Sequence, residues 1–286
     1  MSSFLRPLRI ALLSSGLMAL SLSPAFAGHA AFLVDAKSGT VLESENAEEL
    51  NYPASLTKMM TLYMTFEALH DGRLTWDTRL PISENANSKE PFKFAIGAGN
   101  TISVTEAVTG MIVLSTNDAA VAVAEKLGGS EAKFGEMMTA KARQLGMEQT
   151  VFRNPAGLPD PAQVTTAKDL AKLGLALMRD YPEEFKLFSQ KRMVFRGMKL
   201  RGHNGVLNTY PGATGLKTGF TNASGYNLVT SVDRDGHRLI GVVMGGKTAQ
   251  ERDEEMKAML DKHLPQMKAA VAPKPVTKAA MVLAKP

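Results

Sequence analysis

The sequence contains no cysteine. That excludes a thiol nucleophile, a disulfide framework and thiolate metal sites. Its five histidines lack the spacing of a metal site, so no metal and no other cofactor is expected. Beyond the N-terminus no stretch is apolar for the roughly 20 residues a bilayer span requires, so no transmembrane segment is expected once a leader has been removed. No internal repeat is visible. Acidic residues are missing from both ends. Residues 1–27 carry only Arg6 and Arg9, and residues 271–286 only Lys274, Lys278 and Lys285, which together make up the whole formal net charge of +5. The body between them is neutral. A nucleic-acid footprint needs a basic face on the folded domain, so nucleic acid is not expected as a partner.

The 286 residues, 44% hydrophobic and 21% charged, can bury a core without a disulfide or metal staple. The basic start, the apolar run from Ile10 to Leu22 and the small-x-small tripeptide Ala25-Phe26-Ala27 read as a secretory signal peptide cleaved after Ala27. The chain is therefore expected to be exported, to the periplasm or cell envelope. Residues 28–268 are expected to form one domain, and the Ala/Pro/Lys-rich residues 269–286 a disordered tail.

Within the domain, Ala30 to Asp35 and Thr40 to Glu43 read as a hairpin across Lys37-Ser38-Gly39. Leu56 to Leu69 is apolar on almost every face and is expected to be a central helix, ended at His70-Asp71-Gly72. Val104 to Leu114 and Asp118 to Leu127 read as two helices meeting at Ser115-Thr116-Asn117. Ser130 caps a third, and Thr166 to Asp169 opens a fourth with a capping-box pattern. Tyr226 to Val232 and Arg238 to Met244 are β-rich runs joined at Asp235-Gly236, and Lys247 to Leu264 is a charged surface helix. Strands at both ends with helices between them give an α+β expectation: one antiparallel sheet, flanked by helices, shared by the two ends of the domain around an inserted helical region.

Three short motifs carry chemistry: Ser55-Leu56-Thr57-Lys58, Ser115-Thr116-Asn117 and Lys217-Thr218-Gly219. Each alone is weak. Ser130 to Lys133 repeats the first, Ser44 to Asn46 and Ser83 to Asn85 repeat the second, and Lys37 to Gly39 nearly repeats the third. Context separates them. Ser55 opens the apolar helix, where unpaired backbone N–H groups favour developing negative charge. Lys58, three residues on, shares its face. Burial there disfavours the ammonium form, and a neutral amine can take the hydroxyl proton. Ser115-Thr116-Asn117 lies at a helix junction. Lys217-Thr218-Gly219 reads as a strand edge where glycine admits a substrate backbone. Ser130 reads instead as a helix cap and Lys37 to Gly39 as a turn.

The ordered set, with about 60 residues between the first two motifs and about 100 between the last two, resembles the penicillin-recognising serine enzymes. The closer resemblance is to the low-molecular-weight D-Ala-D-Ala carboxypeptidases, peptidase family S11. It is carried also by Asn51 to Met60, Ser115 to Ala120, Phe152 to Leu158, Thr165 to Ala171 and Gly215 to Thr221, and spans roughly residues 29–264. The resemblance implies a β-lactamase/DD-peptidase-like fold and an acyl-enzyme at Ser55 with Lys58 as general base. It also implies an oxyanion hole from the backbone N–H groups of Ser55 and Phe220, worth about 3–4 kcal/mol per donor. Ser115 would relay the proton to the departing D-Ala, Asn117 would hold the substrate amide, Lys217 and Thr218 would face the terminal carboxylate beside Gly219, and Arg252 would reach that carboxylate too. The implied partners are peptidoglycan stem peptides, with β-lactams as inhibitors.

Two departures from the family pattern stand out. Phe220 occupies the position after Lys-Thr-Gly where some members carry His, which bears on substrate choice. The tail shows no amphipathic period, so membrane anchoring is not expected. A class A β-lactamase is the rival with the same three motifs, but its Glu-x-x-Leu-Asn pattern is missing between Ser-x-Asn and Lys-Thr-Gly, so slow release of bound penicillin is expected. An endopeptidase of the same fold, cutting cross-links, is a second alternative. A dead-site scaffold would not need all three motifs intact. Met59 and Met60 read as core filler and His203 as a loop residue, with a substrate contact as the alternative.

Overall fold

The structure is a computed structural model, and residues 28–234 and 236–264 are described. The expected signal peptide, the expected tail and Asp235 of the expected turn lie outside the described residues. In chain order the elements are β1 (Ala30–Asp35), β2 (Val41–Glu45), α1 (Lys58–His70), β3 (Arg79–Pro81), α2 (Glu84–Asn87), β4 (Thr101–Ser103), α3 (Val104–Val113), α4 (Asn117–Gly128), α5 (Glu131–Gln144) and α6 (Ala167–Asp180). They continue with α7 (Pro182–Phe185), β5 (Arg192–Phe195), β6 (Met198–Arg201), α8 (Gly205–Thr209), β7 (Ala213–Thr221), β8 (Gly225–Arg234), β9 (His237–Gly246) and α9 (Ala249–His263).

The main sheet is antiparallel, in the order β2-β1-β9-β8-β7. Strands from the two ends of the domain therefore meet at β1 and β9, where Ala31 lies opposite Val243 and Leu33 opposite Gly241, as the α+β expectation requires. The alternation of side chains along a strand splits the core into two layers. Phe32, Val34, Ile240, Val242 and Met244 pack towards α1 and α6. Ala31, Leu33, Leu239 and Val243 pack on the other face against Met256, Met259 and Leu260 of α9. Both faces are covered, so only the edges of the sheet meet solvent, and one of those edges is β7.

The helix α1 runs through the larger core. Met59, Met60, Leu62 and Phe66 are fully buried, which is why its sequence shows no polar face. Its buried hydroxyls are satisfied: Thr61 Oγ1 donates to Pro155 O (2.7 Å) and Thr65 Oγ1 to Thr61 O (2.7 Å). The other helices carry caps legible in sequence. Ser103 and Glu106 form a reciprocal capping box on α3. Ser130 accepts from Lys133 N–H at the start of α5, so the second Ser-x-x-Lys is structural. Thr166 accepts from Asp169 N–H, but the Asp169 carboxylate turns to Gln149 N–H and Thr150 Oγ1, so only half of the expected box forms.

The remaining decoys also have local roles. Asp35 accepts from the N–H groups of Lys37 and Ser38 in the first hairpin. Ser83 caps α2 and donates to Glu125, and Asn46 donates to His29 O. The small antiparallel pair β3–β4 and the hairpin β5–β6 had no clear signal in the sequence. Their strands are three and four residues long, too short to establish a period.

Candidate active site

A tight backbone turn presents Ser55. Pro53 cannot continue a hydrogen-bonded element, and Ala54 follows with φ 47°, a left-handed conformation rare outside glycine. A 3-10 turn over Ala54–Thr57 then leads into α1. Opposite it, Gly157 has φ +82°, and a Cβ there would stand 1.8 Å from Ala54 O. The segment carrying Ala156 and Gly157 is thereby pressed against the turn that carries Ser55.

Lys58 is the first residue of α1 and is fully buried. Its Nζ donates to Asn117 Oδ1 (2.7 Å) and to Ala156 O (2.6 Å), and lies 3.1 Å from Ser55 Oγ. Two of these partners can only accept; the third is a hydroxyl. A neutral amine has two N–H bonds and one lone pair, so both hydrogens are used and the lone pair is left facing Ser55 Oγ. Burial holds the Lys58 amine well below its ordinary 10.5, the nearby charge of Lys217 lowers it further, and the Asp118 carboxylate opposes them.

Ser115 sits between α3 and α4 with φ 63°, a strained conformation for a residue with a Cβ. It is 2% exposed, and its Oγ has no hydrogen-bond partner among the described residues although it borders the cleft. Buried hydroxyls are usually bonded, so this one is free for a ligand. Asn117 opens α4, and both ends of its amide are held: Oδ1 by Lys58 and Nδ2 by Glu90 O (2.8 Å). Asn117 thus ties the Lys58 amine to the loop that carries Glu90. Next to it, buried Asp118 accepts from Phe94 N–H (2.7 Å) and Ala119 N–H (2.8 Å), tying the 90–95 loop to α4. Burial raises the pKa of Asp118 above its ordinary value.

The strand β7 supplies the facing wall. As the edge of the sheet it offers a free backbone rim, and its Gly219 lies against the nucleophile: a Cβ there would be 3.0 Å from Ser55 N and 3.2 Å from Pro53 O. Thr218, Gly219 and Phe220 line the cleft. Phe220 is 48% exposed, and its ring packs on Tyr226 with centroids 4.2 Å apart. Lys217 lies beneath this wall. It is 2% exposed and donates to Thr218 O (2.9 Å). Burial, then the charge of Arg252, pushes its amine down to about 7. Arg252, on α9, is also buried and borders the cleft. Its Nη1 donates to Asn227 O (3.2 Å) and its Nη2 to Asp253 Oδ1 (2.7 Å).

The cleft encloses about 670 Å3, with Ser55, Ser115 and Asn117 on one wall and Thr218 to Phe220 on the other. The three motifs, far apart in the chain, converge here. A model of the D-alanyl-D-alanine carboxypeptidase family, peptidase S11, matches residues 19–248. The chain belongs to that family. It is 40% identical to D-alanyl-D-alanine carboxypeptidase DacA of Haemophilus influenzae, over 80% of this chain and 59% of that protein. It is 36% identical to DacA of Escherichia coli, over 80% of this chain and 58% of that one. The chain thus spans about three-fifths of the length of these relatives. A D-alanyl-D-alanine endopeptidase of Pseudomonas aeruginosa is 32% identical over 80% of this chain and 75% of its own length. Among solved structures, penicillin-binding protein 5 of H. influenzae superposes with a TM-score of 0.78 at 38% identity, covering 83% of this chain and 70% of that one. Penicillin-binding protein D2 of Listeria monocytogenes in its ampicillin-bound form gives 0.75 at 32%, covering 81% and 95%. The antiparallel sheet with flanking helices is the fold of this peptidase family.

Several members of the candidate site were invisible in the motifs. Ala156 O and Glu90 O act through the backbone, which no residue type reports. The Phe152 to Leu158 stretch carried family resemblance without a chemical reason; its glycine and its carbonyl supply one. Asp118 follows the Ser-x-Asn motif directly, and its neighbour position was the available signal. His203 borders the cleft, stacked on Phe92 at 5.8 Å, with its imidazole pushed down to about 4 by burial and by Lys217 and Arg252. It is a neutral wall of the cleft at physiological pH.

Proposed function

We propose that this chain is an exported serine D-Ala-D-Ala carboxypeptidase that removes the terminal D-Ala from peptidoglycan stem peptides, with residues 28–268 as its peptidase domain. The observation that carries the reading is the coordination of Lys58 Nζ: two acceptors take its hydrogens and Ser55 Oγ faces its lone pair. The relatives' names supply the substrate class. The assembled wall lies outside the cytoplasm, which agrees with the leader-like residues 1–27.

In this mechanism a peptide lies along the free edge of β7 with its C-terminal carboxylate towards Thr218, Lys217 and Arg252. Ser55 Oγ attacks the carbonyl between the two D-alanines while its proton passes to Lys58 Nζ. The oxyanion forms where Ser55 N and the β7 backbone face each other. The C–N bond then breaks, and the proton reaches the departing amine through Ser115 Oγ. Water hydrolyses the ester, leaving the shortened stem and the free hydroxyl. A β-lactam acylates Ser55 by the same first step.

Mass spectrometry after mixing with penicillin tests this. One adduct is expected, on the peptide containing Ser55, together with release of free D-Ala from a pentapeptide and little cleavage of a cross-linked dimer. A Ser55→Ala protein that keeps full D-Ala release refutes the assignment. Preferential cleavage of the dimer replaces carboxypeptidase with endopeptidase.

A further inference from the structure

A second recess opens off the main cleft. It holds about 160 Å3 and shares Gly157, Leu158, Pro159 and Thr221 with the cleft. Its walls are largely apolar: Tyr52, Pro53, Pro161 and Ala223 join Leu158 and Pro159. The one acidic side chain lining it is Asp160. Asp160 Oδ1 accepts from Ala162 N–H (2.8 Å), and no cation pairs with this carboxylate among the described residues. The main cleft is charged the opposite way at its far end, where Arg252 and, beneath the wall, Lys217 lie. Glu90, the acid that borders the cleft, is already paired with Lys93 (2.6 Å).

The location of the recess follows from strand geometry. With its terminal carboxylate at the Lys217 end, a peptide runs antiparallel to β7. The carbonyl attacked by Ser55 then lies level with Gly219, which is packed against Ser55 N. The D-Ala that owns this carbonyl lies opposite Phe220, and the residue before it opposite Thr221, because each extended residue advances roughly 3.3 Å. Thr221 is where cleft and recess meet.

We propose that this recess is the subsite for the side chain of the residue preceding D-Ala-D-Ala, and that it takes an aliphatic chain ending in an ammonium group, with Asp160 as the specificity-determining counter-ion. The inference rests on the carboxypeptidase reading above. Apolar walls hold the methylenes while the carboxylate meets the charged tip, the usual division of labour for a lysine-like side chain. Positive charge at one end of the binding surface and negative charge at the other matches a peptide end with a carboxylate at its terminus and an amine two residues upstream.

The test measures kcat/KM for D-Ala release from three N-acetylated tripeptides ending in D-Ala-D-Ala. Their first residue is lysine, Nε-acetyl-lysine or norleucine. Wild-type enzyme is expected to prefer the free amine about two- to fivefold, the size of a part-exposed ion pair, with the preference shrinking as salt is added. Asp160→Asn keeps an oxygen for the Ala162 bond. It should abolish the preference by slowing the lysine peptide alone, leaving the uncharged peptides and the rate of penicillin acylation unchanged. An equal preference in both proteins, or no preference in wild type, overturns the subsite. Absence of D-Ala release from all three peptides, with penicillin still acylating Ser55, overturns the carboxypeptidase reading, and the subsite falls with it.

Discussion

Replacing Lys217 with methionine should make the protein more stable at pH 7 while impairing it as an enzyme. The Lys217 amine titrates at about 7 instead of the ordinary 10.5. A lysine whose folded value is depressed gives full stability only above 10.5, and stability is lost as pH falls towards 7, because the unfolded chain binds the proton more tightly. Integrated over that gap, the linkage at pH 7 disfavours the fold by about 4 kcal/mol. The group is fully buried, so solvent does not screen this. Methionine suits the surroundings, since the small cavity bordering Lys217 is lined also by Ile112, Val113, Phe188 and Leu207. Thr218 O loses its side-chain donor, at a cost of about 1–3 kcal/mol. The net gain at pH 7 is then about 1–3 kcal/mol. At pH 10 the linkage has shrunk to about 1 kcal/mol, and the gain should vanish or reverse. Urea melts of both proteins at the two pH values measure this. A variant that is equally destabilised at pH 7 and pH 10 refutes the claim that Lys217 is held near neutrality by burial.

The electrostatics around Lys58 predict opposite shifts in the pH dependence of Ser55 acylation. Because the charge of Lys217 lowers the Lys58 amine and that of Asp118 raises it, the acid limb of penicillin acylation should move to higher pH in Lys217→Met and to lower pH in Asp118→Asn. Stopped-flow acylation across pH reads both, and shifts of the same sign would contradict the arrangement. Gly157→Ala places a Cβ 1.8 Å from Ala54 O at φ +82°, so the turn carrying Ser55 must move. We expect a loss of at least about 1–3 kcal/mol in stability together with slower acylation. A variant that melts and acylates like wild type would show that the turn tolerates the shift.

Much of the fold was legible in the residues. Helix α1 was marked by an apolar surface on all sides, the helix ends by Gly72, Ser130 and Thr166, and the β8–β9 hairpin by two β-rich runs around a turn. These signals are local, set by backbone geometry within a few residues. The exceptions are equally physical. The first residue of α4 is Asn117, not Asp118, because Ser115 in its left-handed conformation ends α3 and lets the next helix start at once. Strands β3 to β6 are too short to display a period.

For the site the division is sharper. Sequence alone placed Ser55 and Lys58 three residues apart on one side of a helical turn, although the structure puts Ser55 in a 3-10 turn ahead of α1 and not at the start of the helix itself, and it determined which serine, asparagine and lysine were candidates. It could not decide the protonation of Lys58. That depends on removal from water by segments about 60 and about 100 residues away, and on the charges of Lys217 and Asp118. Nor could it reveal the backbone acceptors Ala156 O and Glu90 O, which any residue type could supply. Spacing along a chain governs neighbours within a turn, whereas desolvation and Coulomb energy depend on distances in space, and only the tertiary structure sets those.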